Sequence, residues 1–205
     1  SAVEALGRIG GAHAVDRLIT LAGGDNFFRA FPAIEALGSA QDARAVAVLQ
    51  QLLAKPLYAT EAARALGKIG DLSAVQPLVR SLATAPDALV RVVAESLAAI
   101  QDAVNQGVGP LTSLSRVVRE HASPTLRAKV ARALSSSHGA EAVPLGRLLI
   151  WLAEAESVED FIPLLGASDE MTRLGIEGLA NLSALGDQRV LAALEAGSSE
   201  LRAQL

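Results

Sequence analysis

The sequence predicts an all-α protein that is built as an α-solenoid, a stack of helical hairpins. Three observations support this class: 51% of the 205 residues are apolar, only 3% are aromatic, and a pattern of two short amphipathic helices recurs. Because the apolar residues are mostly Ala and Leu, helices are favoured over strands and can pack closely. Each hairpin has one apolar face that needs a neighbour, so the hairpins are expected to stack.

The stretch 57–83 shows the repeating unit most clearly. Apolar residues recur at helical spacing in both of its helices: Ala62, Ala63, Leu66 and Ile69 in the first, and Val75, Leu78, Val79 and Leu82 in the second. Gly70 suits the left-handed turn that ends a helix. Ser73 is expected to cap the second helix by accepting a backbone N–H.

Three segments of the chain align on Ala-Leu-Gly and Ala-Val. They read VEALGRIGGAHAVDRL (3–18), AIEALGSAQDARAVAVL (33–49) and AARALGKIGDLSAVQPL (62–78). The anchor leucines of these segments and of a fourth unit are Leu6, Leu37, Leu66 and Leu97, separated by 31, 29 and 31 residues. A period near 30 with two helices per period indicates a solenoid.

This pattern, Ala-Leu-Gly-x-Ile-Gly-Asp followed by Ala-Val-x-x-Leu, resembles the HEAT-like repeats named after phycobilisome lyases. The resemblance implies a right-handed α-solenoid of about six HEAT-like hairpins, with convex outer helices and a concave inner-helix face used for binding. Known members include bilin lyases, adaptor domains, DNA-repair glycosylases and an iron-dependent hydroxylase. The motif is structural, so it predicts the architecture and leaves the activity open.

We expect residues 1–205 to form a single HEAT-like repeat domain, with regular repeats over 1–107 and irregular repeats over 108–205. The chain enters in the middle of an outer-helix pattern with no polar cap before it. Terminal repeats normally have a polar outer face. This predicts that the chain is a fragment of a longer one, and that its uncapped terminal repeats can self-associate.

The repeat period fails near residues 140–155. Segment 161–164 (FIPL) matches segment 75–78 (VQPL), but it follows the preceding unit too soon. One helix over about 141–154 is therefore expected to serve as the inner helix of one unit and the outer helix of the next. This phase defect predicts a change of superhelix direction around Trp151.

Six polar residues are candidate partner-binding residues. Five of them share one position in successive inner helices and are expected to project into the concave groove, and the sixth, Arg116, begins the basic cluster: Thr20, Gln51, Arg80, Ser113, Arg147 and Arg116. A ladder of this kind on a concave surface is where a ligand is expected. The alternative is a solvated stripe on amphipathic helices.

Charge is unevenly distributed along the chain. The net charge of −4 divides into about −1 for residues 1–107, +4 for 108–147 and −7 for 148–205. The basic residues cluster over 116–132: Arg116, Arg119, Arg127, Lys129 and Arg132. An acidic partner surface, or the acidic end of another copy of the chain, is favoured over nucleic acid, because the cluster is local and aromatic residues for base stacking are missing from the groove.

Aromatic residues concentrate in one place, Phe27, Phe28 and Phe31. Packing between the first two repeats is the favoured interpretation, and an exposed contact patch is the alternative. The three histidines, His13, His121 and His138, lie in or near separate turns and are expected to be turn-capping or solvent-exposed residues. They form no converging metal site.

The sequence contains no phosphate-binding loop, nucleophile motif or isolated carboxylate pair, so no catalytic residue, metal or cofactor is expected. We therefore expect a non-enzymatic scaffold or adaptor that binds another protein on its concave face, in a bacterial cytoplasm and away from membranes. The alternatives are a bilin-lyase-like protein that binds a tetrapyrrole and a phycobiliprotein, with the ligand's propionates at Arg80 or Arg147, and a HEAT-like DNA-binding protein.

Overall fold

The structure is a computed structural model that describes residues 11–106, 114–154 and 157–183. These ranges contain α-helices and short 3-10 turns and no β-strand, which confirms the predicted all-α class. Backbone contacts divide the chain into two compact units between Ser123 and Pro124. The single-domain organisation stays a prediction, and each unit is described by itself. No described helix combines the length and apolarity that a membrane span requires.

The first unit contains seven described helices. They are α1 (Ala12–Gly23), α2 (Phe27–Ala40), α3 (Val46–Leu53), α4 (Ala59–Ile69), α5 (Val75–Ser81), α6 (Asp87–Gln106) and α7 (Leu114–His121). The 3-10 turns Ala43–Ala45 and Leu72–Ala74 lead into α3 and α5. Pro32 lies inside α2, within the second outer-helix pattern.

The helices of the first unit form two rows. The outer-helix patterns correspond to α2, α4 and α6, and each of these helices packs on the next one. The inner-helix patterns correspond to α1, α3, α5 and α7, and each of these helices contacts the next one. This stacking of hairpins is the predicted solenoid. The core between the rows is aliphatic, and its fully buried leucines are Leu18, Leu37, Leu49, Leu52, Leu66, Leu78, Leu82, Leu97 and Leu114.

Polar residues and glycines at the repeat turns fix where each hairpin bends. Gly70 ends α4 with φ 75°, as its position predicted. The cap of the following turn differs from the prediction, because Asp71 accepts the backbone N–H of Ser73 at 2.8 Å and the Ser73 hydroxyl donates to the same carboxylate. Asp is as good a cap as Ser and can accept both bonds at once.

The equivalent turn of the second repeat uses Asp42, which accepts the backbone N–H of Arg44. Hydrogen bonds from the Arg44 guanidinium and from its backbone N–H lower the pKa of Asp42. The guanidinium also reaches Asp16 of the preceding repeat at 2.9 Å. Because the pKa of Asp42 is lowered on folding, its stabilising contribution is lost as the pH falls through that pKa.

The glycine of the Ala-Leu-Gly motif marks where outer helices approach most closely. A Cβ on Gly67 of α4 would lie 2.7 Å from the Cα of Ser96 on α6, and one on Gly38 of α2 would lie 2.9 Å from the Cα of Ala65 on α4. The Ser96 hydroxyl also donates to the carbonyl oxygen of Ala63 at 2.8 Å. Glycine is therefore required for packing here rather than for a special backbone angle.

The second unit contains α8 (Leu126–Ser135), α9 (Ala142–Trp151), α10 (Val158–Phe161) and α11 (Asp169–Ser183), with 3-10 turns at Gly139–Glu141 and Ile162–Leu164. Helix α9 packs against both α8 and α11, whereas α10 packs against α11. The helix expected over 141–154 thus ends at Trp151, and its main second neighbour is α11 rather than the segment 161–164.

Candidate partner-binding site

Three of the candidate residues form a row on the first unit. Thr20 lies on α1, Gln51 on α3 and Arg80 on α5, and all three residues are exposed. Helices α1, α3 and α5 contact one another in order, so the equivalent positions follow one another along the stack. The Thr20 hydroxyl donates to the Asp16 carbonyl within its own helix, at 2.9 Å. The row offers polar groups of several kinds to a ligand.

The other three candidates do not belong to α1, α3 or α5. Ser113 lies outside the described residues. Arg116 is exposed on α7, and its Nε lies 3.6 Å from a carboxylate oxygen of Glu120, one helical turn away. Arg147 is half-buried on α9 of the second unit. The roles of all six residues in partner binding stay predictions.

A pocket of about 520 Å³ lies beside Arg80 in the first unit. It is formed where α3 and α5 end and where α4 and α6 begin, and its lining is Gln50, Leu53, Ala54, Pro56, Ala59, Thr60, Pro77, Arg80, Ser81, Thr84, Ala85, Pro86 and Leu89. The lining is mostly apolar, with hydroxyl and amide groups that can orient a ligand. Pockets of this size and character are typical of ligand sites.

Short helices and small side chains create this pocket. Helix α3 has eight residues and α5 has seven, so both end well before the outer helices that follow them. Ala54, Ala59 and Ala85 place only methyl groups at these helix junctions. The turns themselves contain Pro56 and Pro86, whose fixed backbone angles keep the chain from continuing the preceding helix. The pocket therefore results from the short inner helices, the alanines and the proline turns at the points where an inner helix leads into the next outer helix.

Arg80 is the only charged residue among those lining the pocket. It forms no ion pair with a described carboxylate, whereas Arg44, Arg64, Arg116 and Arg127 do. A guanidinium group presents a planar set of donors that fits a carboxylate. The charge of Arg80 is therefore available to an acidic ligand, while apolar surface next to it can hold the rest of that ligand.

Four aromatic residues, Phe27, Phe28, Phe31 and Tyr58, lie at the same edge of the first unit. The ring of Phe27 lies 4.8 Å from that of Phe31 and 6.1 Å from that of Tyr58, at the start of α4. Phe31 is also 5.7 Å from Tyr58. The rings thus contact the third repeat, a neighbour that the sequence analysis did not assign to them, and packing between the first two repeats stays a prediction. Phe28 is 86% exposed, as the alternative of an exposed patch required.

The basic cluster is divided between the two units. In the second unit, the Arg127 guanidinium donates to Asp160 at 3.0 Å and to the buried Ser157 hydroxyl at 2.8 Å, which ties α8 to the start of α10. Together with the Arg116–Glu120 pair, this assigns two of the five cations to intramolecular contacts. These contacts give the nucleic-acid alternative no support.

His121 has a structural contact that the sequence did not predict. Its Nδ1 lies 3.0 Å from the Val117 carbonyl oxygen, and its Nε2 lies 2.7 Å from the amide nitrogen of Gln76. Only a protonated Nδ1 can donate to the carbonyl, so Nε2 accepts from Gln76. His121 thus joins α7 to α5. Among the described residues, no group of three or more His, Asp or Glu side chains could hold a metal ion.

Residues 28–99 match the family model of HEAT repeats, and residues 1–23 match that of PBS lyase HEAT-like repeats. Among solved structures, the chain is similar to the complex of CpcE and CpcF of phycocyanin lyase from Nostoc sp. PCC7120. That alignment has 18% identity and a TM-score of 0.42, and covers 94% of this chain and 84% of that chain. No curated protein matches the chain significantly.

Proposed function

Because this chain is a HEAT-like repeat protein with repeats of the phycobilisome-lyase type, we propose that it is a non-enzymatic scaffold that binds another protein on the row α1, α3 and α5. The observation that carries this proposal is the position of Arg80, which is exposed, without an ion pair to a described carboxylate, and at the rim of the pocket. Thr20 and Gln51 extend the polar row. The proposed setting is the bacterial cytoplasm.

Arg80→Glu is expected to weaken partner binding about tenfold or more, because it replaces a charge-assisted hydrogen bond with repulsion. The measurement is capture of partners from an extract of the source cells, identification by mass spectrometry, and titration of the purified partner against both forms. Circular dichroism should show unchanged helicity, since Arg80 is exposed.

Arg64→Glu is the matched control for charge reversal. Arg64 is exposed on α4, in the other row of helices, and pairs only with Glu61 of the same helix among the described residues. A partner captured equally well by all three forms would contradict the proposed site. A partner lost with both substitutions would show a general charge effect and would also contradict it.

Tetrapyrrole binding is a second candidate function. It is supported by the apolar lining of the pocket beside a single guanidinium group, which suits an apolar ligand that carries carboxylates, and by the family to which the repeat over 1–23 belongs. Under this proposal, the propionate groups of a bilin contact Arg80, and a phycobiliprotein is the partner. Arg147 keeps its predicted role as the alternative propionate contact.

Mixing the protein with a free bilin is expected to shift and sharpen its visible absorption, because a bound tetrapyrrole loses conformational freedom. Arg80→Glu should weaken the binding measured by this shift, and Arg64→Glu should not. An unchanged bilin spectrum at high protein concentration would rule this candidate out while leaving the protein scaffold proposal intact.

A further inference from the structure

Three exposed apolar residues lie at the edge of the first unit where each inner helix leads into the next outer helix. Phe28 is 86% exposed, Leu57 61% and Phe27 40%. Isolated apolar residues on a surface are normal, but a contiguous group of large ones marks an interaction site. The ring of Phe28 lies 5.8 Å from that of Phe27, which in turn contacts Tyr58, next to Leu57.

This patch continues into the pocket through the turn 54–58. Ala54 and Pro56 line the pocket, the following residue Leu57 is exposed, and Tyr58 contacts the aromatic cluster. We call the combined area of Phe27, Phe28, Leu57 and the pocket the edge surface. It offers rigid aromatic groups on one side and a concave apolar site on the other, and both features are typical of binding hot spots.

The charges of the edge surface are complementary to an acidic ligand. Arg80 is the one charged residue that lines the pocket, and Lys55 is exposed in the turn 54–58 that joins the patch to the pocket. Asp25 and Asp87 flank the edge surface in the sequence, but neither lines the pocket. A ligand segment that extends from the patch into the pocket would therefore contact apolar groups at one end and the Arg80 guanidinium group at the other.

We propose that the edge surface docks an acidic, apolar-rich peptide segment of a partner protein, with apolar side chains on Phe28 and Leu57 and inside the pocket, and with a carboxylate on Arg80. The proposal rests on the function proposed for Arg80 and goes beyond it, because it names the chemistry of the bound segment and adds Phe28 and Leu57 to the site. Aromatic side chains give large contact area at a low cost in conformational entropy.

A displayed library of random peptides selected on the protein tests the chemistry of the bound segment directly, whichever protein carries that segment. The expected result is enrichment of sequences that combine Asp or Glu with Leu, Phe or other apolar residues. Enrichment of basic sequences, of uncharged apolar sequences, or of none above background would overturn the proposal. The most enriched peptide is then synthesised with a fluorescent label and titrated by anisotropy.

Phe28→Ser and Arg80→Gln are each expected to weaken binding of that peptide about tenfold. Leu72→Ser and Arg64→Gln are the matched controls: Leu72 is 43% exposed at the opposite turn of the third repeat, and Arg64 lies on α4. Neither control should change the affinity. Equal binding by Phe28→Ser and the original protein would show that the edge surface is not the site.

The same variants separate this inference from the scaffold proposal. If the purified partner still binds in an Arg80-dependent way while Phe28→Ser has no effect, the scaffold proposal stands and the edge surface is wrong. Sedimentation of the protein alone provides a further test. Concentration-dependent dimers that Phe28→Ser abolishes, without enrichment of acidic peptides, would assign the edge surface to a second copy of the chain and overturn the proposal.

Discussion

Phe161→Ala is expected to destabilise the second unit by about 3–5 kcal/mol, the usual cost of deleting a buried aromatic ring. Phe161 is fully buried at the end of α10 and packs against Gly178 of α11. A Cβ on Gly178 would overlap the Phe161 ring, so the ring fills the space that the glycine leaves open. Amide hydrogen exchange over residues 158–183 measures the loss directly, and urea unfolding gives its free energy.

Ile162→Ala is the control for this prediction. Ile162 follows Phe161 directly and is 47% exposed, so removing its side chain should cost far less. Equal losses for the two variants would contradict the packing described for Phe161. Gly178→Ala provides a second test, because overpacking the ring typically costs about 1–3 kcal/mol. Combining it with Phe161→Leu should cost less than the sum of the single changes.

Gly67→Ala is expected to destabilise the first unit by about 1–2 kcal/mol, because overpacking outweighs the gain in helix propensity. The new methyl group would lie 2.7 Å from the Cα of Ser96, which is backbone and cannot rotate away. Helices α4 and α6 must therefore separate, which weakens the bond from Ser96 to the Ala63 carbonyl oxygen. Urea unfolding followed by circular dichroism measures the change.

Gly23→Ala tests whether the loss is specific to the helix contact. A Cβ on Gly23 of α1 would lie 3.6 Å from a methyl group of Val48, an ordinary contact, so this variant should be neutral or slightly stabilised. Gly38→Ala should resemble Gly67→Ala, because its methyl group would lie 2.9 Å from the Cα of Ala65. A stabilised Gly67→Ala protein would show that helix propensity dominates over packing.

The repeat pattern predicted the fold because it encodes local structure and stacking together. The left-handed turn at Gly70 follows from the residue itself, since few other residues adopt φ 75° without strain. The cap was misassigned because Asp71 and Ser73 are both good cap residues two positions apart. Which of the two accepts the N–H depends on the conformation of the 3-10 turn, which the helical pattern does not contain.

The sequence did not predict the pocket, and Arg80 is the only residue of its lining that was a candidate beforehand. The inner-helix pattern identifies which side chains project from a helix, but the pocket is bounded by the ends of four helices and by two turns. Pro56 and Pro86 indicate turns in the sequence without indicating the space between them. The contact of the aromatic cluster with Tyr58 of the third repeat was not predicted, because Tyr58 precedes the helical pattern and carries no periodic signal.

The close approach of Gly67 to Ser96, and of Gly38 to Ala65, gives the third repeat two unlike ends. Its Gly67 faces the fourth repeat and its Ala65 faces the second, so a duplicated copy of the third repeat placed between the second and third would keep a glycine opposite a small residue at each new junction. The fourth repeat has Ala98 at the glycine position. Internal duplication can therefore add repeats before the fourth repeat. A copy joined after the fourth repeat would instead pack against the methyl group of Ala98.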